Sequence, residues 1–150
     1  MTTFLDKPAD LIDLVGQQVG TTEWIEITQE QVDLFATATG DHQWIHSDPL
    51  RAARGPFKGI IAHDYLTLSL TPVVIAEVLQ IRQLTAPVNH GLNAVRFASP
   101  VRVGSQIRAA VSLISAQQTT SGVESVFELT YEVIGERRPV CMANVIVVYP

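Results

Sequence analysis

The segment IIAHDYLTLSLTPVVIAEVLQ, residues 60 to 80, is the feature that most limits how this chain can fold. Wound as a helix from the N-cap offered by His63-Asp64 to about Gln80, it carries Leu66, Leu68, Leu70, Val73, Val74, Ile75, Val78 and Leu79, which leave no polar face. Such a helix must be buried, so the rest of the chain has to wrap it. His63, Asp64, Pro72 and Glu77 interrupt the apolar run and disqualify it as a bilayer span. Pro72 lacks a backbone N–H and crowds the preceding turn, which predicts a kink near Leu68 to Leu70.

The wrapping material follows. Beyond residue 89 the stretches NAVRFASPVRV, QIRAAVSLISA, VESVFELTYEVI and VCMANVIVVY read as strands, with turn signals at Ser121-Gly122 and from Gly135 to Pro139. Phe127, Leu129, Tyr131 and Val133 alternate with Glu128, Thr130 and Glu132, the pattern of a strand with one wet face, whereas VIVVY is apolar on both faces and expects cover on both. Ahead of the buried helix lie a short helix from about Asp6 to Gly16, a strand within 19 to 27, and a helix over 29 to 39. Thr28 and Gln31 open this last helix in capping-box style and Gly40 ends it. Asp48-Pro49 starts a further helical turn that stops at Gly55-Pro56. Helices first and a run of antiparallel strands after them predict an α+β architecture.

At 150 residues, 47% hydrophobic and 17% charged, the chain is sized for one compact domain over its whole length. A net charge of −5, with ten scattered Lys and Arg, argues against a nucleic-acid surface, although local cations such as Arg51, Arg54, Lys58 or Arg96 would suit a small anion. The N-terminal MTTFLDKPADLIDL lacks a basic leader with an uninterrupted apolar core, so a cytoplasmic protein without membrane attachment is expected. Cys141 stands alone, which leaves no internal disulfide and no thiolate metal cluster, and its strand neighbours predict an inert buried thiol. Absence of GxSxG, P-loop and strand-following GxGxxG patterns removes the usual support for acyl-serine chemistry, nucleotide hydrolysis and dinucleotide redox.

Chemistry concentrates in GDHQWIH, residues 40 to 46, the loop leaving the 29 to 39 helix. Asp41 and His46 are close enough in sequence to converge on one water and move a proton. The same residues also suit plain capping, and spacing alone leaves both readings open. His42 and His46 would share a helix face as metal ligands, but Gly40 has already ended the helix and no third ligand pattern appears, so no metal is expected. Trp44 and Ile45 suit a core anchor, with substrate contact by Trp44 the lesser reading. At the start of the buried helix, unpaired N–H groups and the helix dipole can stabilise an oxyanion beside His63 and Asp64, where Asp64 also reads as a simple N-cap.

Taken together, TGDHQWIH, DP(x)RAA(x)GPF, IAH(x)YLTLSL and NHGLNAVRFASPVRVGSQIR closely resemble the MaoC-like dehydratase family, the R-specific enoyl-CoA hydratases, over about Phe4 to Tyr149. The resemblance is strongest to its single-domain actinobacterial branch. It implies a hotdog fold, in which a curved antiparallel sheet wraps a long central helix, and a homodimer joined edge to edge with the active site near the interface. It also implies reversible addition of water to a trans-2-enoyl-CoA thioester to give the R-3-hydroxyacyl product, with Asp41 and His46 as the working pair and no metal or redox cofactor.

Three departures stand out. The family usually reads Ala-His-Gly where this chain has Ala62-His63-Asp64, so a carboxylate sits where an enolate would form. Gln43-Trp44 replaces the usual Asn-Pro, as is common in the actinobacterial branch, and Lys58 occupies a position more often small or polar, where contact with a CoA phosphate is the one role in view. Asp64 motivates an alternative expectation, a weakly active or non-catalytic acyl-CoA-binding hotdog subunit. A hotdog thioesterase is a third, disfavoured by the Asp-x4-His spacing.

Overall fold

The computed structural model describes residues 1–150. Strand β1 (Thr3–Leu5) leads to a 3-10 helix, Pro8–Leu14, whose Leu11 is fully buried. Short strands β2 (Gln18–Thr21) and β3 (Ile25–Glu26) follow. Helix α1 (Gln29–Thr39) opens with the Thr28 side chain accepting from the Gln31 N–H and closes on Gly40 at φ 83, as its sequence predicts. Two single-turn helices come next, α2 (Trp44–Ser47) and α3 (Pro49–Ala53), the latter capped by Asp48. The stretch after Gly40 is therefore only partly a loop. The Asp41 carboxylate accepts from the Gln43 N–H, and this small turn restarts the helix at Trp44.

The expected helix from 64 to about 80 is two helices, α4 (Asp64–Ser69) and α5 (Thr71–Val78). The break falls at Leu70, whose N–H donates to the Thr67 carbonyl in a tight 3-10 closure, because Pro72 two residues later cannot continue the α ladder. His63, not Asp64, is the N-cap residue, and no side chain caps this end. The far end is also shorter than expected. Leu79 turns extended and begins β4 (Leu79–Ile81), which pairs in parallel with β1. Burial is one-sided: Leu66, Val74, Ile75 and Val78 lie in the core, while Tyr65 and Val73 are 68% and 69% exposed. Beside the small β1-β4 pair the chain has one large sheet, and one large sheet covers one helix face.

That sheet is built from β5 (Val88–Phe97), β6 (Gln106–Thr119), β7 (Gly122–Val133) and β8 (Cys141–Tyr149), joined by β2 in the antiparallel order β2-β6-β7-β8-β5, with β3 also on β6. Phe127, Leu129 and Tyr131 point inward on β7, as their alternation predicts. Register shifts in β5 and β6 bend the sheet around the helices. This is the hotdog arrangement, with a broken central helix. The predicted first strand ends at Phe97. Residues 101 to 103 instead pair with 60 to 62, through Ala62 N–H to the Val101 carbonyl, Val103 N–H to the Ile60 carbonyl, and an Ile61–Arg102 bridge. This pairing ties the entrance of α4 to the sheet. No helix is long and apolar enough to cross a membrane.

Candidate active site

Asp41 and His46 meet because two local devices aim them. Gly40 in the left-handed region turns the chain off α1, and the Asp41 N–H then donates to Thr39 Oγ1. With Asp41 Oδ1 occupied by the Gln43 N–H, Oδ2 is left to face the interior of the turn. His46 rides on α2 and is 5% exposed. Its Nδ1–H donates to the Ile61 carbonyl at 2.7 Å. A carbonyl only accepts, so the neutral ring carries its proton on Nδ1 and its lone pair on Nε2. That Nε2 stands 4.0 Å from Asp41 Oδ2, too far for a direct hydrogen bond.

His63 completes the group. It is 3% exposed, donates from Nε2–H to the Asp41 carbonyl at 3.0 Å, and stands 3.9 Å from Asp41 Oδ2. Its ring stacks on His46 with centroids 3.8 Å apart and lies against Phe35 on the other side. Its Nδ1 is buried with no partner. Asp41, His46 and His63 thus offer polar atoms all within 4.8 Å of one another, a third group that sequence spacing did not supply. They do not make a ready metal site. His63 Nε2–H is committed to the Asp41 carbonyl, and a protonated ring nitrogen has no lone pair to offer a metal. His42 is exposed and apart from the group.

A cleft of about 870 Å³ opens over these residues, with Phe57, Ile61, Tyr65 and Phe97 among its apolar walls and Asp64 at its edge. The first N–H groups of α4 have no acceptor within the helix. Asp64 neither caps the helix nor turns away from the cleft. Burial against the cleft wall pushes its carboxyl above the ordinary carboxylate value, and His46 partly counters that rise.

Other predicted contacts lie elsewhere. Trp44 does not line the cleft; it packs against Gly55 with the Arg51 guanidinium over its face, which makes it an anchor for α2. Arg96 is exposed on β5, one residue from Phe97 and so on the opposite face of the strand. The Lys58 side chain is exposed and outside the cleft lining, while its carbonyl accepts from Arg102. Two contributors have no sequence signature, the Ile61 carbonyl that sets the His46 tautomer and the Thr39 hydroxyl beneath Asp41. Any residue carries a carbonyl, and only tertiary pairing selects one.

Comparison with known proteins gives a consistent picture. The family model described as MaoC like domain matches residues 11–136. The chain is 47% identical over 150 residues to 3-hydroxyacyl-thioester dehydratase Z of Mycobacterium tuberculosis, covering 99% of each protein. It is 44% identical over 139 residues to nodulation protein N of Rhizobium leguminosarum bv. viciae, covering 91% of this chain and 86% of that one. Among solved structures, the (R)-hydratase from A. caviae involved in PHA biosynthesis superimposes with a TM-score of 0.75 at 22% identity, covering 91% of this chain and 96% of that one.

Proposed function

The chain belongs to the MaoC-like dehydratase family, and from that premise we propose that it is an R-specific 2-enoyl-CoA hydratase in which Asp41 and His46 activate water. The observation that carries this reading is the gap between Asp41 Oδ2 and His46 Nε2. A water about 2.8 Å from both atoms would be held at an angle of about 90°, close to its natural bonding geometry. The tautomer set by Ile61 leaves Nε2 able to take a proton from that water.

In the forward direction the water oxygen bonds to the β carbon of the enoyl thioester while its proton moves to His46 Nε2. The π electrons shift toward the thioester oxygen, and the enolate formed is stabilised by N–H groups at the start of α4. Asp41 holds the water and offsets the positive charge on His46. The enolate α carbon then takes the proton from Nε2–H, which restores the neutral ring; dehydration reverses these steps. No metal or redox cofactor takes part, and the substrate is an acyl-CoA thioester. The relative named a 3-hydroxyacyl-thioester dehydratase supports this reaction class.

The working unit we propose is a cytoplasmic homodimer of single-domain chains. Strand β5 ends the sheet with an unpaired edge, and Val88 and Leu92 on it are 53% and 50% exposed. A second copy paired there would also bring cover toward Tyr65 and Val73.

One observation favours a second reading. Asp64 adds a carboxyl at the helix start where negative charge would form, which suits a weakly active or non-catalytic acyl-CoA binder. Hydration of crotonyl-CoA, followed as loss of the conjugated double bond, tests both. We expect turnover by the parent protein and losses of about 10²- to 10⁴-fold in Asp41→Asn and His46→Gln. Equal rates in all three proteins would remove the mechanism, binding without turnover would favour the second reading, and release of free thiol would indicate a thioesterase.

A further inference from the structure

The chain has fifteen Asp and Glu against ten Lys and Arg, yet beside the cleft lies a hollow of about 630 Å³ where the balance reverses. Arg102, Arg137 and Arg138 line it, against the single carboxylate Glu136. Elsewhere Arg108 pairs with Glu132, Arg82 with Asp6, and Arg51 covers Trp44, while Lys7, Arg54, Lys58 and Arg96 stand without an ion pair but do not gather in one hollow. Arg137 and Arg138, on the turn between β7 and β8, form no ion pair.

Arg102 is the fixed member. Its Nη2 donates to the Lys58 carbonyl at 2.9 Å, and its guanidinium packs so closely on Gly59 that a Cβ there would stand 3.2 Å from Nη2. Lys58 itself is the one non-glycine residue with positive φ, at 58°. A long side chain seldom adopts that conformation, and here it carries the carbonyl that holds Arg102. With one donor committed, the planar fork keeps its remaining N–H groups free.

The hollow also adjoins the cleft, with Phe57 lining both. Arg102 bridges to Ile61, whose carbonyl fixes His46, so the arginine is one backbone pairing away from the wall that sets the reacting group. Phosphopantetheine thioesters carry a long uncharged arm between the reactive thioester and the first phosphate, so their anion would bind apart from the reacting groups, in a hollow beside the cleft and not within it.

We propose that Arg102, Arg137 and Arg138 form a phosphate-binding site for the anionic end of a phosphopantetheine thioester whose acyl end lies beside Asp41 and His46, an inference that rests on the hydratase reading above. Guanidinium forks pair with phosphate oxygens through parallel N–H donors, and in a protein of net negative charge a local cationic hollow also guides an anionic substrate to the cleft.

The test compares the parent with R137A/R138A on three substrates: crotonyl-CoA, crotonyl-phosphopantetheine and crotonyl-pantetheine, which carry several, one and no phosphates. We expect the parent to prefer crotonyl-CoA to crotonyl-pantetheine at least tenfold in kcat/KM, and the variant to lose most of that preference. An unchanged preference ratio overturns the proposal, including the case in which general damage lowers every rate alike. If crotonyl-phosphopantetheine keeps the parent's advantage, the arginines read the phosphate that CoA shares with a carrier protein; if only crotonyl-CoA shows it, they read the nucleotide phosphates. Either result supports the site. Calorimetric binding of CoA needs no turnover and separates the two readings. Tenfold weaker binding by the variant supports the site and equal binding overturns it, whereas a parent inactive on all three thioesters counts against the hydratase reading alone.

Discussion

The His46 ring lies stacked on the His63 ring, their planes 24° apart, and both present Nε2 toward Asp41 Oδ2. One histidine holds a lone pair in the cleft, and the other holds the backbone of its carboxylate partner. Replacing His63 with Phe keeps an aromatic ring in the stack and removes the bond to the Asp41 carbonyl, together with the N–H that stands 3.9 Å from its carboxylate. We expect kcat for crotonyl-CoA to fall about 10²-fold with KM little changed, since a reacting group displaced by about 1 Å loses roughly that much. His63→Gln, which keeps an N–H donor, should recover part of the loss. Steady-state kinetics on the three proteins check this, and a rise in KM with kcat intact would refute the positioning role.

Asp64 predicts a pH dependence with a definite sign. Its carboxyl in the folded protein sits above the usual value of 3.8, first because of burial and despite the opposing pull of His46. Above 3.8 the native state therefore holds more of this proton than the unfolded chain, and stability declines as pH rises through the folded value. Asp64→Asn should raise the melting temperature at neutral pH, and the difference should vanish below the ordinary carboxylate value. Thermal unfolding across pH 3 to 8 measures it.

Ionised Asp64 also opposes an enolate, so Asp64→Gly should hydrate crotonyl-CoA faster than the parent, with the larger gain at high pH. A pH–rate comparison of the two proteins decides, and a gain independent of pH would point to space rather than charge.

Gly55 lies against the Trp44 ring. A Cβ at this position would stand 2.9 Å from both Cζ3 and Cη2, while Arg51 covers the Trp44 face at 4.5 Å. Gly55→Ala should cost about 1–3 kcal/mol, read from urea unfolding, because the ring must shift. The same shift moves α2 and His46, so kcat should drop as well.

Cys141 is 1% exposed on β8, and burial, with Asp64 adding to it, pushes its thiol up to about 11. At pH 8 an aromatic disulfide reagent should leave the folded protein unmodified and react stoichiometrically once denaturant is added. Rapid reaction of the native protein would show that the strand opens.

Local signals carried much of this fold in one dimension. Thr28 and Gly40 mark α1 because capping and a left-handed exit act over three or four residues. The alternation in β7 names its buried face, and Pro72 announces a break within one turn of where it occurs. A close match of several motifs in order added the family and directed attention to Asp41 and His46. Tertiary structure alone decided the rest. It shortened the central helix by pairing Leu79–Ile81 with β1, left Tyr65 and Val73 in solvent, and chose for Trp44 the anchoring role over substrate contact. It brought His63 onto His46, chose the Ile61 carbonyl as the partner of Nδ1, and gathered Arg102 with Arg137 and Arg138 across more than thirty residues. Periodicity, caps and turns are short-range effects that a sequence displays directly. Which carbonyl meets which imidazole is settled only when distant segments pack, because every residue offers the same backbone groups.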